Sequence, residues 1–261
     1  MTAPTDSAAP TAFTDALAAA HRPLIMEVKR QDADGRDLTR GRPVAEIVRG
    51  YEEAGAPCIS VVTGRWFGGT EDLLAEVAAL TRLPLLRKDF ITGRRQLERT
   101  RALGASAVLL TAKVLPAGAL ARLTDQALEC GLTPFVEVAD AAEAAGVHRG
   151  AQCVVAVNNK DITTRERLAG DLDRGASLLP ELLRTGTRFP VSASAIDTPE
   201  RAAALVHAGF RALLMGTSLL AAPSLPDWCA AYDTALLRAP HTDREVSGDP
   251  ARALQRRRPA G

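Results

Sequence analysis

The sequence predicts a single (β/α)8 TIM barrel, and three observations carry that prediction. Short apolar runs alternate with amphipathic stretches eight times. Glycines fall where the amphipathic stretches must stop, and several apolar runs end in an ionisable residue. Eight alternations of this kind are the arithmetic of a closed parallel barrel, whose functional groups project from the carboxyl ends of the strands. A doubly wound open sheet is the alternative, weakened because no G-x-G-x-x-G follows the first apolar run.

Taken in order, the runs Leu24–Lys29, Cys58–Thr63, Pro84–Lys88, Ala107–Thr111, Thr133–Val138, Val154–Asn158, Phe189–Ser194 and Ala212–Met215 read as buried strands. Between them Val44–Ala54, Glu71–Thr81, Gln96–Leu103, Pro116–Glu129, Ala141–His148, Ala176–Arg184 and Thr198–Ala208 read as helices, and Leu225–Leu237 closes the series. Gly55, Gly104, Gly131 and Gly209 each follow a helix, where a left-handed residue is needed. Thr198 before Pro199 and Glu200 reads as an N-cap with proline in the first turn. Residues 1–11, rich in Ala, Pro, Thr and Ser, read as a flexible arm; 12–240 carry the barrel. Residues 241–261, with the run Arg256–Arg258, lack apolar periodicity and read as a disordered, solvated tail.

Composition narrows the function classes. The chain has 261 residues, 46% hydrophobic, enough for one large α/β domain. A net charge of +1 and only 4% aromatic residues give no electrostatic or stacking case for nucleic acid. No apolar run is long enough for a membrane span, and no basic segment followed by an apolar one opens the chain. Cys58, Cys130, Cys153 and Cys229 are widely spaced, so free buried thiols in a reducing cytoplasm are expected rather than disulfides or a metal site.

The strand ends hold the chemistry. The run from Pro84 through Leu85 and Leu86 leads into Lys88, Asp89 and Phe90, and a lysine ending a buried strand must be solvated, paired or deprotonated. Glu27 and Lys29 are two apart, on one face of the first strand, and Glu137 lies near the end of the fifth. Asn158, Asn159, Lys160 and Asp161 follow the sixth strand; Ser192 to Ala195 end the seventh. Gly216, Thr217 and Ser218 open a helix after the eighth, where free N–H groups suit a phosphate. Glu137 is readable as a base or as a structural partner to a lysine; Asp89 and Asp161 read as loop caps. His21, His148, His207 and His241 lie away from the strand ends, and no Ser-His-Asp arrangement or G-x-S-x-G elbow is present.

These residues resemble the indole-3-glycerol-phosphate synthase family over roughly Leu24 to Pro223. The resemblance rests on I-M-E-V-K-R (25–30), W-F-G-G-T-E-D-L (66–73), L-P-L-L-R-K-D-F (83–90), F-V-E-V (135–138), V-N-N-K-D-I (157–162) and L-M-G-T-S-L-L (214–220). It implies a carboxy-lyase that closes an indole ring from an anthranilate joined to a ribulose phosphate, with no cofactor and no metal. It implies Lys88 as general acid, Glu137 as acid/base for dehydration, and Lys29 and Glu27 completing the catalytic set. Asn158, Lys160, Phe90 and Ser194 would contact substrate; Ala195, Gly216 and Thr217 would bind phosphate.

The departures cluster. Ala193 stands where the family carries a glutamate, Ala195 where it carries a glycine, and Lys160 where it carries an arginine. Gln31, Asp32, Ala33 and Asp34 replace the family's Ser-Pro-Ser, and the N-terminal extension that shields the mouth is shortened to a candidate helix at Phe13–His21. The expectation is a divergent member with an altered aromatic partner. The alternatives are another sugar-phosphate isomerase or lyase on the same barrel, or a non-catalytic phosphate-ligand-binding protein. A small phosphorylated molecule is the expected partner; the oligomeric state is open, with a monomer compatible.

Overall fold

The structure, a computed structural model, describes residues 11–116, 118–160 and 170–238. Eight parallel strands, β1 (Leu24–Val28), β2 (Ile59–Val62), β3 (Leu85–Lys88), β4 (Ala107–Thr111), β5 (Thr133–Val138), β6 (Val154–Asn158), β7 (Phe189–Ala193) and β8 (Ala212–Met215), pair in sequence order. Pairing of Met26 with Met215 joins β1 to β8 and closes the barrel.

Because alternate residues of a strand face opposite ways, each strand feeds two apolar layers. Ile25, Leu86, Leu109, Phe135, Ala156, Val191 and Leu214 fill the barrel interior. Met26, Val61, Val136, Val155 and Leu213 face the surrounding helices. Those helices are α2 (Val44–Glu53), α3 (Glu71–Leu80), α4 (Arg94–Ala102), α5 (Ala119–Glu129), α6 (Ala141–Ala145), α7 (Leu172–Ser177), α8 (Leu179–Arg184), α9 (Pro199–Ala208), α10 (Thr217–Ala221) and α11 (Leu225–Leu237). Local chemistry sets their ends. Thr70, Asp140, Thr198 and Ser224 accept backbone N–H groups from the first turns of α3, α6, α9 and α11. Gly209 closes α9 at φ +116°, a conformation that favours glycine.

Two expectations need correction. The helix expected over Ala176–Arg184 is two helices that break at Leu178. Pro180 has no N–H to give Ala176, so a continuous helix would leave that carbonyl without its partner. The N-terminal helix, α1 (Ala12–Ala18), is also not a remnant of a cover for the mouth. Phe13 and Leu17, four residues apart, share one face and join the barrel-interior cluster from below. The Phe13 ring meets Phe135 edge-on at 6.4 Å, and the Cys58 thiol donates to the Phe13 carbonyl at 3.6 Å. Cys58 precedes β2, so α1 closes the amino end of the barrel, opposite the ionisable residues.

The four cysteines are free, with Cys58, Cys153 and Cys229 buried. Burial raises all four thiols, that of Cys153 up to about 12. His148 meets Asp125 at 3.1 Å and His207 meets the Leu236 carbonyl at 2.9 Å, both on the outer helical layer. The arm before Thr11, the tail from residue 239 with its arginine run, and Asp161 lie outside the described residues.

Candidate active site

The inward faces fixed by the barrel continue into ionisable residues at the carboxyl ends. Ile25 points inward, so Glu27 and Lys29 follow it; Leu86 leads to Lys88, Phe135 to Glu137 and Ala156 to Asn158. Glu27, Lys29, Glu137 and Asn158 are each at most 5% exposed, a depth at which charges need partners.

Two adjoining cavities contain them. The larger, about 740 Å³, is lined by Glu27, Lys29, Lys88, Lys160, Ser194, Ala195, Gly216 and Thr217, and extends to Trp228. The smaller, about 240 Å³, is lined by Thr111, Lys113, Glu137, Asn158, Lys160 and Arg174 among others. Lys160 lines both. Phe90 lies elsewhere, in a third hollow with Arg87, Asp89 and Trp66, its ring 5.2 Å from that of Trp66.

Glu27 organises the larger cavity. Its carboxylate meets the Lys88 ammonium at 3.4 Å and accepts from the Ser60 hydroxyl at 3.3 Å. The Tyr51 phenol, held protonated by burial, donates to the Glu27 carbonyl at 2.9 Å. Gly216 leaves room for this carboxylate, because a Cβ there would stand 2.7 Å from Glu27 Oε1. The glycine that opens α10 is thus required by β1 independently of any ligand. Lys29 extends over the Phe67 ring, Nζ 3.9 Å from its centroid, a cation–π contact that fixes the ammonium at the rim.

Asn158 and Asn159 divide their work. Asn158 Oδ1 accepts from the Lys160 backbone N–H at 3.0 Å, turning the chain into the loop after β6. Asn159 Nδ2 lies 2.9 Å from the Ser192 hydroxyl and from the Ala193 and Ser194 carbonyls, tying the ends of β6 and β7 together. Ala193 is fully buried in the interior cluster. Ser194 and Ala195 follow at φ +69° and +60°, both in the left-handed region that disfavours a Cβ.

Several residues were not singled out from the sequence. Phe67 sits in a 3-10 turn, Arg65–Phe67, within the motif already quoted. Arg87 alternates out of the barrel, 3% exposed, and bonds Thr63, Thr100, Glu71 and Asp89, stapling β3 to α3 and α4. Asp89 also accepts from the Thr63 hydroxyl at 2.7 Å and the Phe90 N–H at 2.9 Å, the loop-capping role expected of it. Strand alternation was the available signal for Arg87; nothing local indicated the Phe67 contact.

A closed parallel barrel with an acid–base constellation at its strand carboxyl ends defines a (β/α)8-barrel enzyme. A family model described as Indole-3-glycerol phosphate synthase matches residues 2–229. The chain is 38% identical to an indole-3-glycerol phosphate synthase of Pyrococcus furiosus over 201 residues, 77% of this chain and 86% of that one. It is 39% identical to the Nocardioides sp. indole-3-glycerol phosphate synthase over 204 residues, 77% of this chain and 76% of that relative. It is 38% identical to the tryptophan biosynthesis protein TrpCD of Archaeoglobus fulgidus over 192 residues, 72% of this chain but only 34% of that protein. The chain belongs to the indole-3-glycerol phosphate synthase family.

Proposed function

We propose that this chain is a carboxy-lyase of tryptophan-type biosynthesis that closes an indole ring on a carboxyphenylamino-deoxyribulose phosphate, with its aromatic specificity altered. The observation that carries the reading is Lys29 and Lys88 in one cavity with the start of α10, joined through Lys160 to the cavity of Glu137.

In this reading Gly216, Thr217 and Ala195 receive the phosphate on backbone N–H groups. The ring carbon bearing the carboxylate attacks the ketone carbon. Lys88 gives a proton to the ketone oxygen as charge develops there. The carbon–carboxylate bond then breaks, carbon dioxide leaves, and its electron pair restores the ring. Glu137 serves the dehydration, in which the new hydroxyl departs as water and the adjacent carbon loses a proton. Glu27 keeps Lys88 aimed before turnover, Lys29 neutralises the substrate carboxylate, and Asn158, Lys160 and Ser194 orient the remainder. Proton transfer by positioned groups of this kind contributes about 10²–10⁴-fold in rate. Phe90, seated against Trp66 in its own hollow, takes no part in this reading.

Among the described residues no helix is long and apolar enough to cross a membrane, and no group of three or more His, Cys, Asp or Glu side chains is arranged to hold a metal. The four free thiols fit a reducing, cytoplasmic setting. The test is incubation with the anthranilate–ribulose-phosphate adduct and with ring-substituted analogues, following indole absorbance and carbon dioxide release. Turnover lost in Lys88→Met supports the reading. No product from any adduct at high enzyme concentration overturns it.

A further inference from the structure

The smaller cavity holds polar capacity beyond the acid–base set. Leu109 faces the barrel interior, so Thr111, two residues on, faces the mouth. It pairs in register with Glu137 on β5, whose own partner on β6 is Ala156, two residues before the inward-facing Asn158. Thr111 and Asn158 are 4% and 3% exposed. Among the described residues, Thr111 Oγ1 and Asn158 Nδ2 have no hydrogen-bond partner, and both side chains line the same 240 Å³ cavity. Asn158 Oδ1 already accepts from the Lys160 N–H, which leaves Nδ2 as the amide atom with no bond made. A buried polar atom left without a partner is costly, and two such atoms lining one small cavity, from β4 and β6, mark a place for a ligand atom.

The geometry points to Thr111 as a specificity-determining residue that, with Asn158, receives a hydroxyl carried on the aromatic ring of the substrate. This rests on the reading of the mouth given above. With the phosphate at the start of α10, the opposite end of the adduct extends toward β4, β5 and β6. A hydroxyl suits the lobe better than a second carboxylate. Its oxygen accepts from Asn158 Nδ2 and its hydrogen is given to Thr111 or to Glu137, whereas a carboxylate would lie against the Glu137 charge. Of the cations lining this cavity, Lys113 is already 3.7 Å from Glu143, and neither Lys160 nor Arg174 bonds Thr111 Oγ1.

The experiment compares the unsubstituted adduct with adducts hydroxylated at each ring position. Each is supplied both as the ketone, read by kcat/KM, and with the ketone reduced to an alcohol that cannot cyclise, read by calorimetric Kd. Wild type is expected to favour one hydroxylated adduct by about tenfold or more in both readouts, the discrimination of a site built to hydrogen-bond a hydroxyl. Thr111→Val keeps the shape and removes the oxygen; it is expected to bring the preference within about threefold, while Thr111→Ser retains it. Thermal unfolding checks that both variants fold. Equal binding of all adducts by wild type, or a Thr111→Val loss shared equally by every adduct, overturns the assignment while leaving the ring-closure reading standing. Equal loss would place the common carboxylate, or an ordered water, in the lobe. Failure of every reduced adduct to bind folded wild type overturns both.

Discussion

Lys88 on β3 and Glu27 on β1 reach across the intervening strand and meet at 3.4 Å inside the barrel. Neither is more than about a tenth exposed, with side chains at 11% and 5%. Glu27→Gln keeps the shape and removes the charge that anchors the ammonium. Its kcat is expected to fall by about 10²-fold with a smaller change in KM, and Lys88→Met by about 10³-fold or more. Steady-state indole formation measures both. A Glu27→Gln enzyme within twofold of wild type would show that the ion pair is dispensable.

Ala193 pairs with Asn158 on one side and Leu214 on the other, facing inward. A carboxylate placed there by Ala193→Glu would enter the half of the mouth that holds three lysines, with Glu27 already committed to Lys88. The variant is expected to raise kcat/KM for the unsubstituted adduct by about tenfold, one hydrogen-bonded charge pair being worth roughly that. An unchanged rate would mean that the missing carboxylate is not what limits that reaction.

Ala195 carries a Cβ at φ +60°, and a Cβ built on Gly170 would lie 2.1 Å from it. Ala195→Gly relieves the left-handed strain, and after the entropy of the freer unfolded chain is subtracted the gain should be about 0.5–1 kcal/mol. Gly170→Ala should be strongly destabilising in wild type and far less so in the Ala195→Gly background. A denaturant melt of all four forms of this cycle gives the coupling. Additive effects would show that the loop after β6 does not pack on Ala195.

Arg22 hydrogen-bonds Asp233 on α11 at 2.8 and 2.6 Å and also reaches the Ala54 carbonyl, joining the start of β1 to α2 and α11. The Arg22 hydrogen bond holds the Asp233 carboxyl below the usual carboxylate range. The folded state therefore binds that proton less readily than the unfolded state. The stabilisation is present in full above the ordinary carboxylate pKa of about 3.9 and is lost as pH falls through the lower folded value. Asp233→Asn should cost about 1–2 kcal/mol at pH 7, a figure kept low because the pair is partly exposed. The gap to wild type should close toward pH 2 in urea titrations. A constant gap would assign the loss to packing.

Most of the barrel was legible because its physics is local. Alternation, strand length and glycine stops place each strand, and the same alternation carries Glu27, Lys29, Lys88, Glu137 and Asn158 inward together. What stayed hidden depends on which segments meet. Phe67 reaches Lys29 from the loop after β2, and Arg87 satisfies itself with residues from three other segments. The Glu27–Lys88 contact exists because the barrel brings the ends of β1 and β3 together across β2. The break at Leu178 is legible in Pro180; the position of α1 is not legible, since one amphipathic face fits either end of a barrel.

Phe13 lies more than a hundred positions before Phe135, yet the two rings touch. The ring contact between α1 and the interior therefore cannot form until β5 has been made. Docking α1 on β5 carries the loop-closure cost of a long-range contact.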